Sequence, residues 1–214
     1  MKSVLLIGLG RFGRHTAEKL HELGHEVMAV DKREESVNAV LPYATNAVIG
    51  DSTNPEFLKS LGVESYDLCI VAIGDDFESS LETTALLKDM GAKYVVARAA
   101  QGIQEKLLSN NGADAVVYPE RQLAEWTAIC YSSDYILDYI AVNDEFAIYE
   151  IEVPEKWKGR SLSELDIRRR LQINVLALKR EGSLILDVNP DAPLEGEQTL
   201  LVLGRESDVR KILK

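Results

Sequence analysis

The chain has 214 residues, of which 46% are hydrophobic and 28% charged, and its formal net charge at pH 7 is −11. This length suits one domain or two small ones with a sizeable core. The negative charge argues against a general binder of nucleic acids or anionic membranes, because both attract a basic field. We therefore expect no nucleic-acid partner.

Two cysteines, Cys69 and Cys130, lie in apolar segments and form no C-x-x-C pair. Isolated apolar cysteines are typical of reduced core thiols in a cytoplasmic protein. No apolar run approaches the roughly 18 residues of a membrane-spanning helix. We expect a cytoplasmic location, so that any role at a membrane depends on a membrane-embedded partner.

Short apolar runs alternate with segments of helical period over the first 118 residues. Their valine and isoleucine content, with little polar alternation, is typical of strands buried on both faces. The six runs are SVLLIG, EVMAVD, NAVIGD, DLCIVAIG, KYVVAR and DAVVY. Five helical segments lie between them, and the alternation predicts an α/β fold with a Rossmann-like, doubly wound parallel sheet.

A longer helical pattern follows from Pro119 to Ile140, with apolar and aromatic side chains at helical spacing. We interpret it as a connecting helix, because the sheet needs no further strand–helix unit. Its aromatic side chains are expected to cover the sheet edge or a partner subunit.

The remaining chain predicts a small α+β lobe with its own apolar runs. EFAIYEIEVP has the alternation of a strand, and residues 159–172 have the period of one short helix. Residues 173–190 predict two strands around a turn at Glu181 and Gly182, before a last strand and a closing helix. The predicted domains are residues 1–134, the nucleotide-binding lobe with its connecting helix, and residues 135–214, the second lobe.

The first strand runs into a G-x-G-x-x-G pattern, GLGRFG, which opens the first helix. In this context Gly8 permits a tight turn, Gly10 lets the backbone approach a pyrophosphate, and Gly13 permits close helix–strand packing. The start of the helix then directs backbone N–H groups and a positive dipole end at phosphates. Phe12 completes this candidate binding segment.

Asp31 ends the second strand, 18 residues after Gly13, where a carboxylate can accept hydrogen bonds from a ribose. Lys32 and Arg33 follow it and raise the question of a 2′-phosphate, which Asp31 would repel. Further candidates lie at the ends of the third and fourth strands, where an adenine edge and the switch point of the sheet are expected. They are Asp51, Ser52, Thr53, Ile73 and Gly74.

The sequence shows a nucleotide site without a recognisable catalytic apparatus. It has no G-x-S-x-G motif, no metal-spaced His/Cys cluster and no convincing Tyr/Lys pair. Arg11 within the glycine pattern then has a use, because a guanidinium can clamp terminal phosphate oxygens. This favours ATP or ADP, although Arg11 as a solvated helix-start residue remains the alternative.

Arg98 and Glu120 are expected at the same edge of the sheet. Arg98 ends the fifth strand and can reach phosphate. Glu120 can hold a divalent cation on the phosphates or pair with an arginine of a neighbouring chain, although a glutamate at a helix start is also ordinary capping.

The chain resembles the RCK family (regulator of potassium conductance), most closely the gating subunits of bacterial Ktr/Trk-type potassium uptake systems. The resemblance rests on IGLGRFG, HEVMAVD, ATNAVIGD, DLCIVAIG, LLKDMGAKYVVARA and GADAVVYPE, and in the second lobe on GRSLSELDIR, INVLALKREG and LEGEQTLLVLG. It implies a regulator without enzymatic activity. It also implies homodimers assembled into an octameric ring on a membrane-embedded potassium translocating subunit.

The resemblance implies that ATP and ADP, or NAD(H) in Trk-type relatives, bind the first lobe and shift the ring between shapes. Arg11 matches the arginine that meets the terminal phosphate, often across the dimer, and Asp31 matches the ribose carboxylate. Glu120 matches a glutamate near the phosphates that can take part in a Mg²⁺ or Ca²⁺ site. Arg98 replaces the family's common lysine, which keeps the charge and changes the geometry.

The second lobe of some relatives binds cyclic di-AMP between two lobes of a dimer. The positions that correspond in spacing are Ile167, Arg168, Asn174, Val175 and Pro190. Arg168 can pair with phosphate there, and Asn174 can hydrogen-bond phosphate or base. Arg168 also belongs to a run of three arginines of a kind that is usually solvated.

Three functions remain open from the sequence. The first is an ATP/ADP-operated regulator, and the second is a Trk-type regulator that binds NAD(H) without turnover. The third is an NAD(P)-dependent oxidoreductase with a catalytic residue near AIGDD, residues 72–76.

Overall fold

A computed structural model of the chain describes residues 1–212. The chain divides into two compact units, Met1–Arg121 and Gln122 onward, and each unit has its own sheet. The division falls within the helix Pro119–Tyr131, whereas the sequence places the domain boundary after this helix, at residue 134.

The first unit is built on a six-stranded parallel sheet, as the sequence predicts. Its strands are Ser3–Ile7 (β1), Glu26–Asp31 (β2), Asn46–Ile49 (β3), Leu68–Val71 (β4), Val95–Arg98 (β5) and Ala115–Val117 (β6). They lie in the order β3-β2-β1-β4-β5-β6. The order reverses between β1 and β4, and this switch point is where doubly wound sheets open a crevice for ligands.

Helices connect these strands and cover both faces of the sheet. They are Arg11–Glu22 (α1), Glu34–Val40 (α2), Pro55–Ser60 (α3), Phe77–Asp89 (α4) and Gly102–Asn110 (α5). Successive residues of β1 face two different clusters, with Leu5 and Ile7 in one and Val4 and Leu6 in the other. Burial on both faces explains why these strands show no polar alternation.

The connecting helix is shorter than predicted. It runs over Pro119–Tyr131 (α6), and the segment Ile136–Ala141 is a strand (β7) instead of its continuation. The Ser133 hydroxyl accepts the backbone N–H groups of Tyr135 and Ile136, so it holds the chain in a turn after α6. Antiparallel pairing with the next strand then overrides the helical spacing of the apolar residues.

The second unit has a five-stranded antiparallel sheet in the order β10-β9-β11-β8-β7. Its further strands are Ala147–Glu152 (β8), Asn174–Arg180 (β9), Ser183–Ile185 (β10) and Gln198–Gly204 (β11). The predicted turn between β9 and β10 is confirmed, with positive φ at both Glu181 (49°) and Gly182 (80°). Side chains of one sheet face, including Tyr149, Ile151 and Leu200, form the centre of its core.

Helices of the second unit are Leu162–Leu165 (α7), Ile167–Leu171 (α8) and Glu206–Ile212 (α9). The single helix predicted over residues 159–172 is therefore wrong, because Asp166 has a φ of 46° that breaks the helical run. A capping box between Ser161 and Glu164 fixes the start of α7. Ile167 and Leu165 point into the core on either side of the break.

Candidate functional site

A cavity of about 560 Å³ opens at the carboxyl edge of the first unit's sheet, around the switch point between β1 and β4. Most of the residues predicted to bind a nucleotide line it. They are Gly8, Gly10, Arg11, Phe12, Asp31, Lys32, Asp51, Ser52, Ile73, Gly74, Arg98 and Glu120. The position and the size suit a small organic ligand.

The glycine loop joins β1 to α1 beneath this cavity. Gly8 has a φ of +91°, a conformation that side chains disfavour. Gly13 does not line the cavity. It faces the glycine loop, where a Cβ at this position would lie 2.0 Å from the Gly8 carbonyl oxygen. It therefore allows the first turn of α1 to pack against the loop.

The start of α1 offers unpaired backbone donors to the cavity. Gly10 is the N-cap and has no side chain to accept them, and no acidic residue lies in the first turn. The first N–H groups of a helix have no intrahelical partner, and the helix dipole favours an anion beside them. Arg11 stands at this end, and among residues 1–212 it forms no ion pair.

Asp31 is fixed between the glycine loop and the start of the next loop. Its Oδ2 accepts the Leu9 N–H at 2.8 Å, and its Oδ1 accepts the Arg33 N–H at 2.8 Å. The residue is 8% exposed. Since each carboxylate oxygen has a further lone pair, Asp31 can still accept hydrogen bonds from ligand hydroxyls in the cavity.

The loop after β3 presents Asp51 and Ser52 to the cavity. Thr53 does not line it, but its backbone N–H (3.0 Å) and hydroxyl (2.8 Å) both donate to Asp51 Oδ1. These two bonds lower the pKa of Asp51, so its carboxylate is ionised and oriented. The buried Ser52 hydroxyl lies 2.8 Å from Thr83 Oγ1.

Arg98 and Glu120 form the wall of the cavity beside the start of α1. Arg98 Nη2 donates to Glu120 Oε1, and the guanidinium carbon lies 5.6 Å from the centre of the Phe12 ring. Burial raises the pKa of Glu120, but its own backbone N–H and the charges of Arg98 and Arg11 outweigh this and lower it. Glu120 is therefore a hydrogen-bond acceptor close to two cationic side chains, Arg98 and Arg11.

Two further polar residues, Arg14 and Ser79, line the same cavity and were not among the candidates from the sequence. Arg33, Asp75 and Asp76, which follow β2 and β4 in the chain, line it as well. Arg14 follows Arg11 by three residues on α1, so helical spacing was a usable signal. Asp76 belongs to the AIGDD segment that follows β4, which the sequence places beside the switch point, and as the N-cap of α4 it accepts the Ser79 N–H at 3.1 Å.

The five residues proposed for a second ligand all belong to the second unit. Ile167 is 4% exposed and contributes to the core, whereas Arg168 and Asn174 are exposed at the start of α8 and of β9. Val175 is half-buried in β9, and the Pro190 carbonyl accepts the Ser163 N–H of α7 at 2.9 Å.

No group of three or more His, Cys, Asp or Glu side chains within residues 1–212 comes together as a metal site. Glu120 is thus a single carboxylate, and Mg²⁺ or Ca²⁺ prefers six or more oxygen ligands. The residues of one chain do not by themselves fit a cation there. None of the helices described for residues 1–212 is long and apolar enough to cross a membrane.

Comparison with known proteins gives matches over the whole chain. The TrkA-N domain family matches residues 4–119, and the TrkA-C domain family matches residues 146–214. Ktr system potassium uptake protein C of Bacillus subtilis (strain 168) is 38% identical over 100% of this chain and 96% of its own length. Ktr system potassium uptake protein A of the same organism is 35% identical over 98% of this chain and 95% of its own length.

Solved structures show the same fold. The GsuK RCK domain is similar with a TM-score of 0.67 at 19% identity, over 99% of this chain and 47% of that chain. The GsuK channel gives a TM-score of 0.71 at 19% identity, over 98% of this chain and 38% of that chain. This chain thus spans less than half the length of these structural neighbours. It belongs to the RCK family of TrkA-N and TrkA-C domain proteins, as a regulatory subunit of a Ktr/Trk-type potassium uptake system.

Proposed function

We propose that this chain is a ligand-operated gating subunit that binds ATP or ADP in the cavity around the glycine loop. The observation that carries this proposal is the start of α1, where uncapped backbone donors and Arg11 stand together beside Asp31. Asp31 accepts hydrogen bonds from the ribose hydroxyls, and the backbone N–H groups at the start of α1 bind the phosphates. Arg11 binds the outermost phosphate, of this or a neighbouring copy's nucleotide.

NAD(H) is the alternative ligand of the same cavity. One solved GsuK structure is described as bound to NAD, with a TM-score of 0.68 at 19% identity, and another as bound to ADP, with a TM-score of 0.54 at 18% identity. In NAD(H) the pyrophosphate is capped by a second ribose, so Arg11 has no terminal phosphate to clamp. The exposed cation at the start of α1 therefore favours ATP or ADP. Turnover of a nicotinamide by an oxidoreductase is the remaining, less supported alternative.

Gating follows from unequal binding of the two ligands. A ligand shifts a conformational equilibrium only by the difference in its affinity for the two states. ATP and ADP differ in the phosphate that reaches Arg11, so Arg11 supplies that difference. We propose that homodimers form an octameric ring in the cytoplasm, peripheral to the inner face of the membrane. The shape of this ring controls a membrane-embedded potassium translocating subunit.

Two finer proposals concern further ligands. Mg²⁺ or Ca²⁺ can bind at Glu120 where nucleotide phosphates or a second copy add oxygen ligands. Cyclic di-AMP can bind the second unit through the exposed Arg168 and Asn174, with Val175 and Pro190 beside them. Ile167 then supports the site from the core instead of touching the ligand.

Calorimetric titration of the nucleotide-free full chain with ATP, ADP, AMP and NADH tests the primary proposal. We expect ATP and ADP to bind more tightly than AMP, and ATP to displace NADH. Tight NADH binding that ATP does not displace would favour the Trk-type alternative. Reproducible oxidation of NADH with a panel of small metabolites would favour the oxidoreductase.

A further inference from the structure

The ion pair of Arg98 and Glu120 lies at the end of the cavity where α1 begins. Arg98 ends β5 and Glu120 is the second residue of α6. The Arg98 guanidinium packs over Phe12, which is the second residue of α1, so the pair stands beside the proposed phosphate site. An outer phosphate that reaches Arg98 must therefore approach Glu120 as well.

The contacts of Arg98 leave its guanidinium incompletely satisfied. Its side chain is 18% exposed, and its Nε is buried without a hydrogen-bond partner among the described residues. Only Nη2 donates to a single oxygen of Glu120. A buried donor without an acceptor is unfavourable, and a phosphate group offers several oxygens to a guanidinium. The contact with Glu120 thus leaves part of this guanidinium without an acceptor.

We propose that Glu120 is an internal competitor of the nucleotide for Arg98. This inference rests on the proposed function, because it assumes that a nucleotide's phosphates occupy the cavity. When the nucleotide binds, Arg98 leaves the Glu120 carboxylate and pairs with the outer phosphate instead. Glu120 lowers the affinity for nucleotide both by holding Arg98 and by placing a negative charge near the phosphates.

Glu120→Gln tests this competition, since glutamine has the same shape and no charge. The side chain of Glu120 is 54% exposed, so the substitution is compatible with the fold. We expect ATP and ADP to bind about five-fold more tightly to this variant than to the unaltered chain, as for the loss of a partly exposed ion pair. In the Arg98→Met background the same substitution is expected to give a smaller gain, because no guanidinium remains to be released.

Glu105→Gln is the matched control. Glu105 also pairs with an arginine, as Arg121 Nη1 lies 3.0 Å from its Oε2, but neither residue lines the cavity. This control removes the same charge and is expected to leave nucleotide affinity unchanged.

The measurement is calorimetric titration of each full-length variant with ATP and ADP in EDTA, which removes any cation bound by Glu120. A gain that is specific to Glu120→Gln and depends on Arg98 supports the competition. Equal affinity in both glutamine variants, or weaker binding by Glu120→Gln, overturns it. Failure of the unaltered chain to bind ATP or ADP overturns the proposed function instead.

Discussion

Replacing Arg11 with alanine tests the terminal-phosphate role most specifically. Arg11 is exposed at the first position of α1, and no ion pair to another residue of the described chain would be broken. Truncation at Cβ keeps a good helix former in the first turn and removes a cation that opposes the helix dipole. We therefore expect the fold to keep its stability while the affinity for outer phosphates falls.

The size of the effect follows from the exposure of the site. A hydrogen bond to a charged group contributes about 1.5–3 kcal/mol. The exposure of Arg11 places it at the lower end of this range, so a loss of about 1.5 kcal/mol corresponds to roughly ten-fold weaker binding. ATP is expected to lose this factor, whereas AMP, which lacks the outer phosphates, is expected to lose little. In a homo-oligomer the substitution removes Arg11 from every copy, so the result does not depend on which copy supplies it.

The assay is calorimetric titration of ATP, ADP and AMP into both chains under the same salt concentration. Arg169→Ala serves as the control, because Arg169 is exposed, lies outside the cavity and changes the net charge equally. An unchanged ATP-to-AMP affinity ratio in Arg11→Ala would show that Arg11 does not read the outer phosphates.

Three further predictions concern the stability and reactivity of the first unit. Gly13→Ala is expected to destabilise it by about 1–3 kcal/mol, measured by urea unfolding, because the new Cβ meets the Gly8 carbonyl oxygen at 2.0 Å; unchanged stability would show that the loop relaxes freely. Hydrogen bonding to the Val95 N–H, together with Lys88, lowers the pKa of Asp114. The ionised Asp114 therefore stabilises the fold above the unfolded pKa of about 3.9, and this stabilisation is lost as pH falls through the lower folded pKa. Asp114→Asn should therefore flatten the fall in stability below about pH 5, and an unchanged profile would contradict this. Burial raises the pKa of Cys69 to about 12, so mass spectrometry after treatment with a thiol reagent near neutral pH should find Cys69 unlabelled until the chain is unfolded.

Local patterns predicted the first unit well, because its central strands β1, β2 and β4 are largely buried and follow the same repeated unit. β1 is a run of apolar residues without a polar position in its interior, and few structures other than a covered parallel strand accommodate it. The glycine loop and Asp31 follow from the same repeat, since both stand at strand ends that share one edge of the sheet.

Segments whose structure depends on distant partners were not predictable in this way. β7 has helical spacing of apolar residues, yet pairing of Tyr139 with Tyr149 decides its structure. The helical break at Asp166 has a positive φ, and an aspartate in the sequence does not by itself indicate this conformation.

The candidate site shows the same division. Gly8 and Asp31 were predictable because a motif fixes their spacing. Arg98 and Glu120 were expected at the same edge of the sheet, but the ion pair that they form within one chain emerged only from the structure.

We propose that the nucleotide in this cavity controls potassium uptake. The most direct test is potassium flux into vesicles that hold a Ktr-type translocating subunit, with this chain added together with ATP or with ADP. We predict that flux differs between the two nucleotides, and that Arg11→Ala reduces this difference. Equal flux with ATP and ADP, under conditions where both are bound, would show that the nucleotide in the cavity does not control uptake.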